Sequence, residues 1–426
     1  MKRLPFIILI LLSALQIFAQ RRNNGNNTSY TLLKPDRVFD GQQMHTGWWV
    51  LVRGSRIEAA GEPAGITVPE ATKIVELKGM TLLPGFIEGH SHLFLHPYNE
   101  TAWNDQVLNE SRAERTARAV VHAKETLMAG FTTVRDLGTE GAAYDDAGLK
   151  AAINKGIIPG PHMLVATRAI VATGSYGPKS DVEGSATIKG GEEADGIDGV
   201  THVVRSQIGH GADVIKLYAD YGWGLNGATA PTFTEAELKV AVEVAKSSGR
   251  TVAVHSGTEE GMRRAIAAGV TTIEHGDGGN PELFKLMKEK GIALCPTLSA
   301  TEALATYRGW KKGTDPDPAP VARKHYIFTE AMKAGVTILM GGDVGVFPHG
   351  DNAREMVAMV EYGMKPIDVL KAATSVNAEV FGLKNSGNIK VGFTADLVAV
   401  DGNPVDDIKL TKQVKMVMKD GIVVKE

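Results

Sequence analysis

Thr81-Leu82-Leu83-Pro84-Gly85-Phe86-Ile87-Glu88-Gly89-His90-Ser91-His92 is an apolar run that ends abruptly in two histidines. It reads as one β-strand, Thr81–His92, entering a larger α/β pattern. Residues i and i+2 of a strand point the same way, so His90 and His92 can approach one cation together. Alone, a pair at this spacing is more often surface or core histidine; the apolar strand that closes in it gives it weight.

Working outward, the same pattern recurs. Short apolar strands are expected at Thr132–Asp136, His162–Ala169, Asp213–Tyr218, Thr251–His255, Thr272–His275, Ala293–Leu298 and Thr337–Asp343. Helical patterns over Ala113–Met128, Glu235–Ser248, Pro281–Lys290 and Val321–Lys333 separate several of them. Gly130, Gly211, Gly291 and Gly335 stand where a helix-ending glycine belongs. Eight βα units predict an α/β fold, a (β/α)8 TIM barrel, and 426 residues suit such a barrel with an appendage. A doubly wound sheet is the competitor, but no glycine-rich phosphate fingerprint follows the first strand.

Both ends of the chain are β-rich. Tyr30–Leu77 alternates short apolar runs with Gly and Pro, and the pattern returns at Ala395–Val400 and Val414–Val424, with turns at Asp401-Gly402 and Asp420-Gly421. A small β-sandwich-like subdomain is therefore expected from residues 30–80 and 385–426, flanking a barrel over 81–384. The acidic, glycine-rich stretch Gly190–Gly199 reads as a mobile loop over the barrel mouth.

Lys2 and Arg3 precede an apolar run from Phe6 to Phe18, with Ala19 as a small residue for cleavage. This predicts an export signal over residues 1–19 and a secreted or periplasmic protein. Ile17 at the −3 position is not small, so the signal is better defined than its cleavage point. The run is shorter than the ~20 residues of a spanning helix, so no stable membrane anchor is expected after cleavage. The Asn-rich Arg21–Asn27 forms a spacer within residues 20–29. Loss of Lys2 and Arg3 takes the formal charge from −3 to −5. No basic stripe favours a nucleic-acid partner, so a small-molecule substrate is expected. The single cysteine, Cys295, excludes an internal disulfide and any multi-cysteine metal site. A homo-oligomer is compatible with all of this, an even number of chains being a common form.

Catalytic groups of a barrel gather at the C-terminal ends of its strands. Those ends here carry His90, His92, Lys216, His255, His275 and Asp343, each in an otherwise apolar strand. Lys216 has two readings: a side chain snorkelling to the rim, or a desolvated amine of lowered pKa that reacts with carbon dioxide. The carbamate formed is anionic and able to bridge two cations. His255 and His275 are each better read singly as core histidines, yet together they supply nitrogen ligands for a second cation. Asp343 follows Gly341-Gly342, where the backbone can approach closely. It either ends a strand or binds a metal and holds a proton from the attacking water.

This ordered set resembles the amidohydrolase superfamily. Gly130-Phe131-Thr132-Thr133-Val134-Arg135-Asp136, Gly211–Tyr218, Ile273-Glu274-His275-Gly276 and Gly392-Phe393-Thr394-Ala395-Asp396-Leu397 are similar to its imidazolonepropionase-like and Xaa-Pro dipeptidase-like branch. The resemblance implies two divalent metal ions, with zinc suited to nitrogen and oxygen donors. His90, His92 and Asp343 would hold one, His255 and His275 the other, with carboxylated Lys216 between them. It also implies metal-assisted hydrolysis, with Asp343 carrying the proton to the leaving nitrogen.

Substrate contacts are expected at Tyr218, on the same strand face as Lys216, although core packing suits it equally. His349 matches a position where relatives often have a histidine near the substrate; the alternative is an exposed loop histidine. Arg135 suits a carboxylate or a structural pair with Asp136. Tyr176, in Thr173-Gly174-Ser175-Tyr176-Gly177, stands where relatives often carry a histidine, a departure that puts a direct transfer of substrate contacts in doubt. The leading reading is hydrolysis of an amide C–N bond in a small peptide-like substrate, such as an Xaa-Pro dipeptide. Opening of a cyclic amide or lactone at the same site is the alternative. A metal-binding protein without turnover is a third reading, opposed by the full ligand set.

Overall fold

The computed structural model describes residues 29–179 and 188–426. The predicted export signal, residues 1–19, and the spacer up to residue 28 lie outside the described residues. No helix among the described residues is long and apolar enough to cross a membrane.

The architecture is α/β. Phe86–Ser91, Phe131–Asp136 and His162–Val165 pair in parallel. A second parallel ladder runs from Ile170–Val171 through Val214–Tyr218, Thr251–Ser256 and Thr272–His275 to Ala293–Cys295. The two are joined where the Asp213 N–H donates to Val165 O at 2.8 Å. Beyond Ala293–Cys295, parallel bridges link Leu294 to Ile338 and Val344 to Ser91, and the Gly89 N–H donates to Met340 O at 3.1 Å. Hydrogen bonding thus returns to the first strand. These strands are buried on both faces, which is why they read as continuous apolar runs.

Local chemistry sets the helices between them. The Ser111 hydroxyl accepts from Glu114 N–H at the start of Arg112–Met128, and Thr234 and Glu237 form a capping box at the start of Glu235–Ser247. Pro281–Lys290 opens with a proline behind Asn280, which caps Leu283 N–H. It closes at Gly291 in the left-handed conformation, as Ala319–Ala334 does at Gly335.

Strands from both chain ends share one eight-stranded sheet. Lys73–Pro84 sits at its centre, parallel to Tyr30–Phe39 and antiparallel to Leu397–Asp401. Val414–Val424 divides at Asp420-Gly421 into the antiparallel strands Val414–Lys419 and Ile422–Lys425, both turn residues having positive φ.

Four expectations change in detail. Thr81–His92 is two strands, because Thr81–Pro84 completes Lys73–Pro84 in the end-built sheet and Gly85 separates it from Phe86–Ser91. A Cβ at Gly85 would lie 2.0 Å from Thr132 Oγ1, so only glycine passes there. The seventh strand stops at Cys295, and Leu298–Tyr307 is helical, its first amides bound by the Glu355 carboxylate. Thr337–Asp343 is an extended segment held by bridges, since Asp343 has φ 63° and cannot continue a ladder. Gly190–Gly199 is not a mobile loop: Glu192–Glu193 pairs with Ile170–Val171, and Gly196–Gly209 is a helix.

Candidate metal centre and substrate cavity

A cavity of about 280 Å³ opens where the parallel strands end, lined by His90, His92, His255, His275 and Asp343. Its floor depends on close backbone approach. A Cβ on Gly341 would lie 2.5 Å from Cys295 Sγ and 2.8 Å from His90 N, and one on Gly89 would lie 2.5 Å from Met340 O. His275 and Asp343 have φ of 70° and 63°, and Thr297 and Glu140 on the cavity wall have φ of 49°. Four non-glycine residues in this costly region around one cavity are strain of the kind found at functional sites.

Three of the four imidazoles are aimed by a hydrogen-bond partner. His90 Nδ1 lies 2.9 Å from a Glu274 oxygen and His92 Nδ1 lies 2.8 Å from Gly138 O. Their Nε2 atoms are left facing Asp343, at 3.6 and 3.4 Å from its Oδ1. His275 Nδ1 bonds the Thr297 hydroxyl at 2.8 Å. His255 Nε2 lies 3.7 Å from Asp220 Oδ1, and its ring stacks on Tyr218 with centroids 4.6 Å apart. Ligand atoms of His90, His275 and Asp343 all lie within 4.8 Å of one another.

Burial sets the protonation states. It pushes His90 and His275 well below the ordinary imidazole range, lowers His92, and takes His255 down to about 3, with Lys216 adding to the effect at each. Burial also lowers Lys216, whose buried Nζ has no hydrogen-bond partner. Asp343 is raised by burial to about 6, although Lys216 opposes the shift. Neutral imidazoles with their remote nitrogens held, an unpartnered buried amine and a central carboxylate fit a divalent-metal donor set.

The structure therefore brings five of the six residues proposed as ligands to one cavity, with Lys216 buried nearby and its charge acting on each of them. Tyr176 and Tyr218 also line the cavity. The other two expected substrate contacts do not. Arg135 is buried behind the first strand, donating to Gly89 O, Thr272 Oγ1 and Glu274 Oε1, with its guanidinium over the Phe381 ring. Its role is to hold Glu274. His349 is buried, neither lining the cavity nor exposed on a loop; it stacks on His122 at 4.3 Å and its Nε2 lies 3.0 Å from Leu95 O. Glu140, Tyr98 and Tyr221 line the cavity as well and were not anticipated.

This frame and mouth belong to a known class of hydrolase. The Amidohydrolase family model matches residues 81–424, and the chain belongs to that family. It is 32% identical over 367 residues to an ochratoxinase from Aspergillus niger, spanning 79% of this chain and 73% of that one. A Xaa-Pro dipeptidase structure with methionine in its active site superposes with a TM-score of 0.81 at 32% identity, over 93% of this chain and 100% of the other. The A. niger ochratoxinase structure gives 0.79 at 28% identity, over 94% and 96%.

Proposed function

We propose that this amidohydrolase is a binuclear metal-dependent enzyme on a closed (β/α)8 barrel, cleaving the C–N bond of a small peptide-like substrate such as an Xaa-Pro dipeptide. The observation that carries the reading is the convergence of four neutral imidazoles and Asp343 on one cavity, with the buried, unpartnered Lys216 amine close enough for its charge to act on all five. Similarity to a Xaa-Pro dipeptidase over 93% of the chain supports the substrate class.

His90, His92 and Asp343 would hold one cation and His255 and His275 the other, zinc being suited to these donors. Such cations would supply water of lowered pKa and Lewis acidity toward a carbonyl. The Lys216 amine, its pKa lowered by burial, would add to carbon dioxide, forming an N–C bond and releasing one proton, and the carbamate would give both cations an anionic donor. Asp343, at the centre of the site, is the carboxylate placed to carry the proton to the leaving nitrogen. The buried walls keep bulk water from competing.

The test is metal analysis with a dipeptide screen on purified protein reconstituted with zinc and bicarbonate. About two metals per chain and Xaa-Pro cleavage are expected. Two metals without peptide cleavage would move the substrate to lactones and cyclic amides. Absence of bound metal would remove the ligand assignment.

A further inference from the structure

Glu140 is a buried carboxylate facing the cavity, and the groups that touch its oxygens are neutral. Its side chain is 2% exposed. Oε2 accepts from the Tyr176 hydroxyl at 2.6 Å and from Trp103 Nε1 at 3.2 Å, and Oε1 faces the Tyr218 hydroxyl at 3.4 Å. These neutral donors orient the group without cancelling its charge. Among the described residues no lysine or arginine pairs with it. The nearby Arg115 guanidinium is directed to the carbonyls of Phe94, Thr139 and Glu140 itself. The nearest imidazole nitrogen, His92 Nδ1 at 4.0 Å, is already engaged by Gly138 O. A buried carboxylate is ordinarily paired directly, so the open side of Glu140 suits a cationic group on the ligand.

The aromatic rings beside it suit that ligand. Tyr176 lies 4.7 Å from both Tyr218 and Tyr221, centroid to centroid, and Tyr218 and Tyr221 are 5.9 Å apart, mutually tilted. Rings gathered next to a carboxylate offer π-faces and a full negative charge to one small cation. A substrate carboxylate in the same place would be repelled, and Arg135 is buried away from it.

Position narrows the cation further. His92 alone separates this corner from the reacting centre, with Nδ1 4.0 Å from Glu140 and Nε2 3.4 Å from Asp343. That is the neighbourhood of an amine on the carbon next to a scissile carbonyl. Resting on the amide-hydrolase reading above, we infer that Glu140, with Tyr176, Tyr218 and Tyr221, binds the free α-ammonium group of the substrate. The protein then selects unblocked aminoacyl amides over N-acylated ones.

The experiment compares Ala-Pro with N-acetyl-Ala-Pro on the metal-loaded protein and its Glu140→Gln and Tyr176→Phe variants. Binding of the two non-hydrolysable ketomethylene analogues is measured by calorimetry alongside. One charge-assisted contact predicts a preference of about 10- to 100-fold for the free amine in the wild type. In Glu140→Gln the ratio collapses toward one in both kcat/KM and Kd, and Tyr176→Phe, which keeps the carboxylate, retains most of it. A wild type that binds or cleaves the acetylated compound equally well overturns the inference and leaves amide hydrolysis standing. So does a ratio unchanged in Glu140→Gln. Failure of the wild type to bind or cleave either compound overturns the peptide-like substrate class, and this inference with it.

Discussion

His90 Nδ1 lies 2.9 Å from one carboxylate oxygen of Glu274, whose other oxygen accepts from Arg135 at 2.8 Å. The pair fixes the imidazole tautomer, so that His90 presents an unprotonated Nε2 to the cavity. Glu274→Gln keeps the shape and removes the charge. Metal retention is expected to weaken by about 10–100-fold. Leaving Arg135 buried without its counter-charge is expected to cost about 3–5 kcal/mol of stability. Metal per chain after dialysis against graded chelator, together with a denaturation midpoint, checks both; unchanged retention would mean that Glu274 does not orient His90.

Lys216 and Asp343 separate function from folding. The Lys216 amine has no partner to strand, so Lys216→Ala is expected to abolish turnover with a near-wild-type denaturation midpoint. Asp343→Asn is expected to reduce kcat by about 10²–10⁴-fold, the usual worth of a positioned proton carrier. Circular dichroism and steady-state kinetics on the two variants make the comparison. An Asp343→Asn protein with undiminished kcat ends the proton role assigned to it.

What could be read from sequence follows what physics writes locally. A polar residue closing an apolar strand is visible in one dimension, and His90, His92, Lys216, His255, His275 and Asp343 were all found that way. Glu274 was in plain view within Ile273-Glu274-His275, but its partnership with Arg135 joins strands far apart in the chain. Glu140 and Tyr98 sit in irregular segments with no period to follow, Tyr221 stands in a three-residue strand too short to show one, and Glu140 reaches the cavity through a left-handed backbone that a glutamate rarely adopts. The eighth segment reads as a strand from its apolar run Ile338-Leu339-Met340, whereas the chain turns at Asp343.

Arg115 holds the segment that carries Glu140. Its guanidinium donates to Glu140 O at 2.7 Å, Thr139 O at 2.9 Å and Phe94 O at 3.1 Å. A planar fork meets three carbonyls that a lysine ammonium cannot reach together. Arg115→Lys is expected to lose about 2–3 kcal/mol of stability by leaving buried carbonyls unmet. It should also raise KM more than it lowers kcat, because Glu140 is displaced and Asp343 is not. Urea denaturation with kinetics on Ala-Pro tests this; equal stability would show that the segment holds itself.

His162, at the start of the third parallel strand, meets two carboxylates of the end-built sheet, Asp396 at 3.2 Å and Asp420 at 3.4 Å. Burial alone would lower its pKa, but the two carboxylates outweigh it and hold the imidazolium up to about 9. Asp420 is drawn down to about 2, chiefly by the close approach of His162. A histidine raised in the folded state stabilises fully below its unfolded pKa, near 6.5, and loses that contribution as pH rises through about 9. On the acid side the contribution of Asp420 is present above about 3.8 and is lost as pH falls through about 2. The side chain of His162 is 35% exposed, so solvent screening reduces the effect to about 1 kcal/mol. The difference in melting temperature between wild type and His162→Gln should therefore be constant from about pH 5 to 6.5, shrink above it and vanish beyond about 9. Melting curves across that range decide it, and a gap that persists undiminished at high pH would assign His162 to packing rather than to charge.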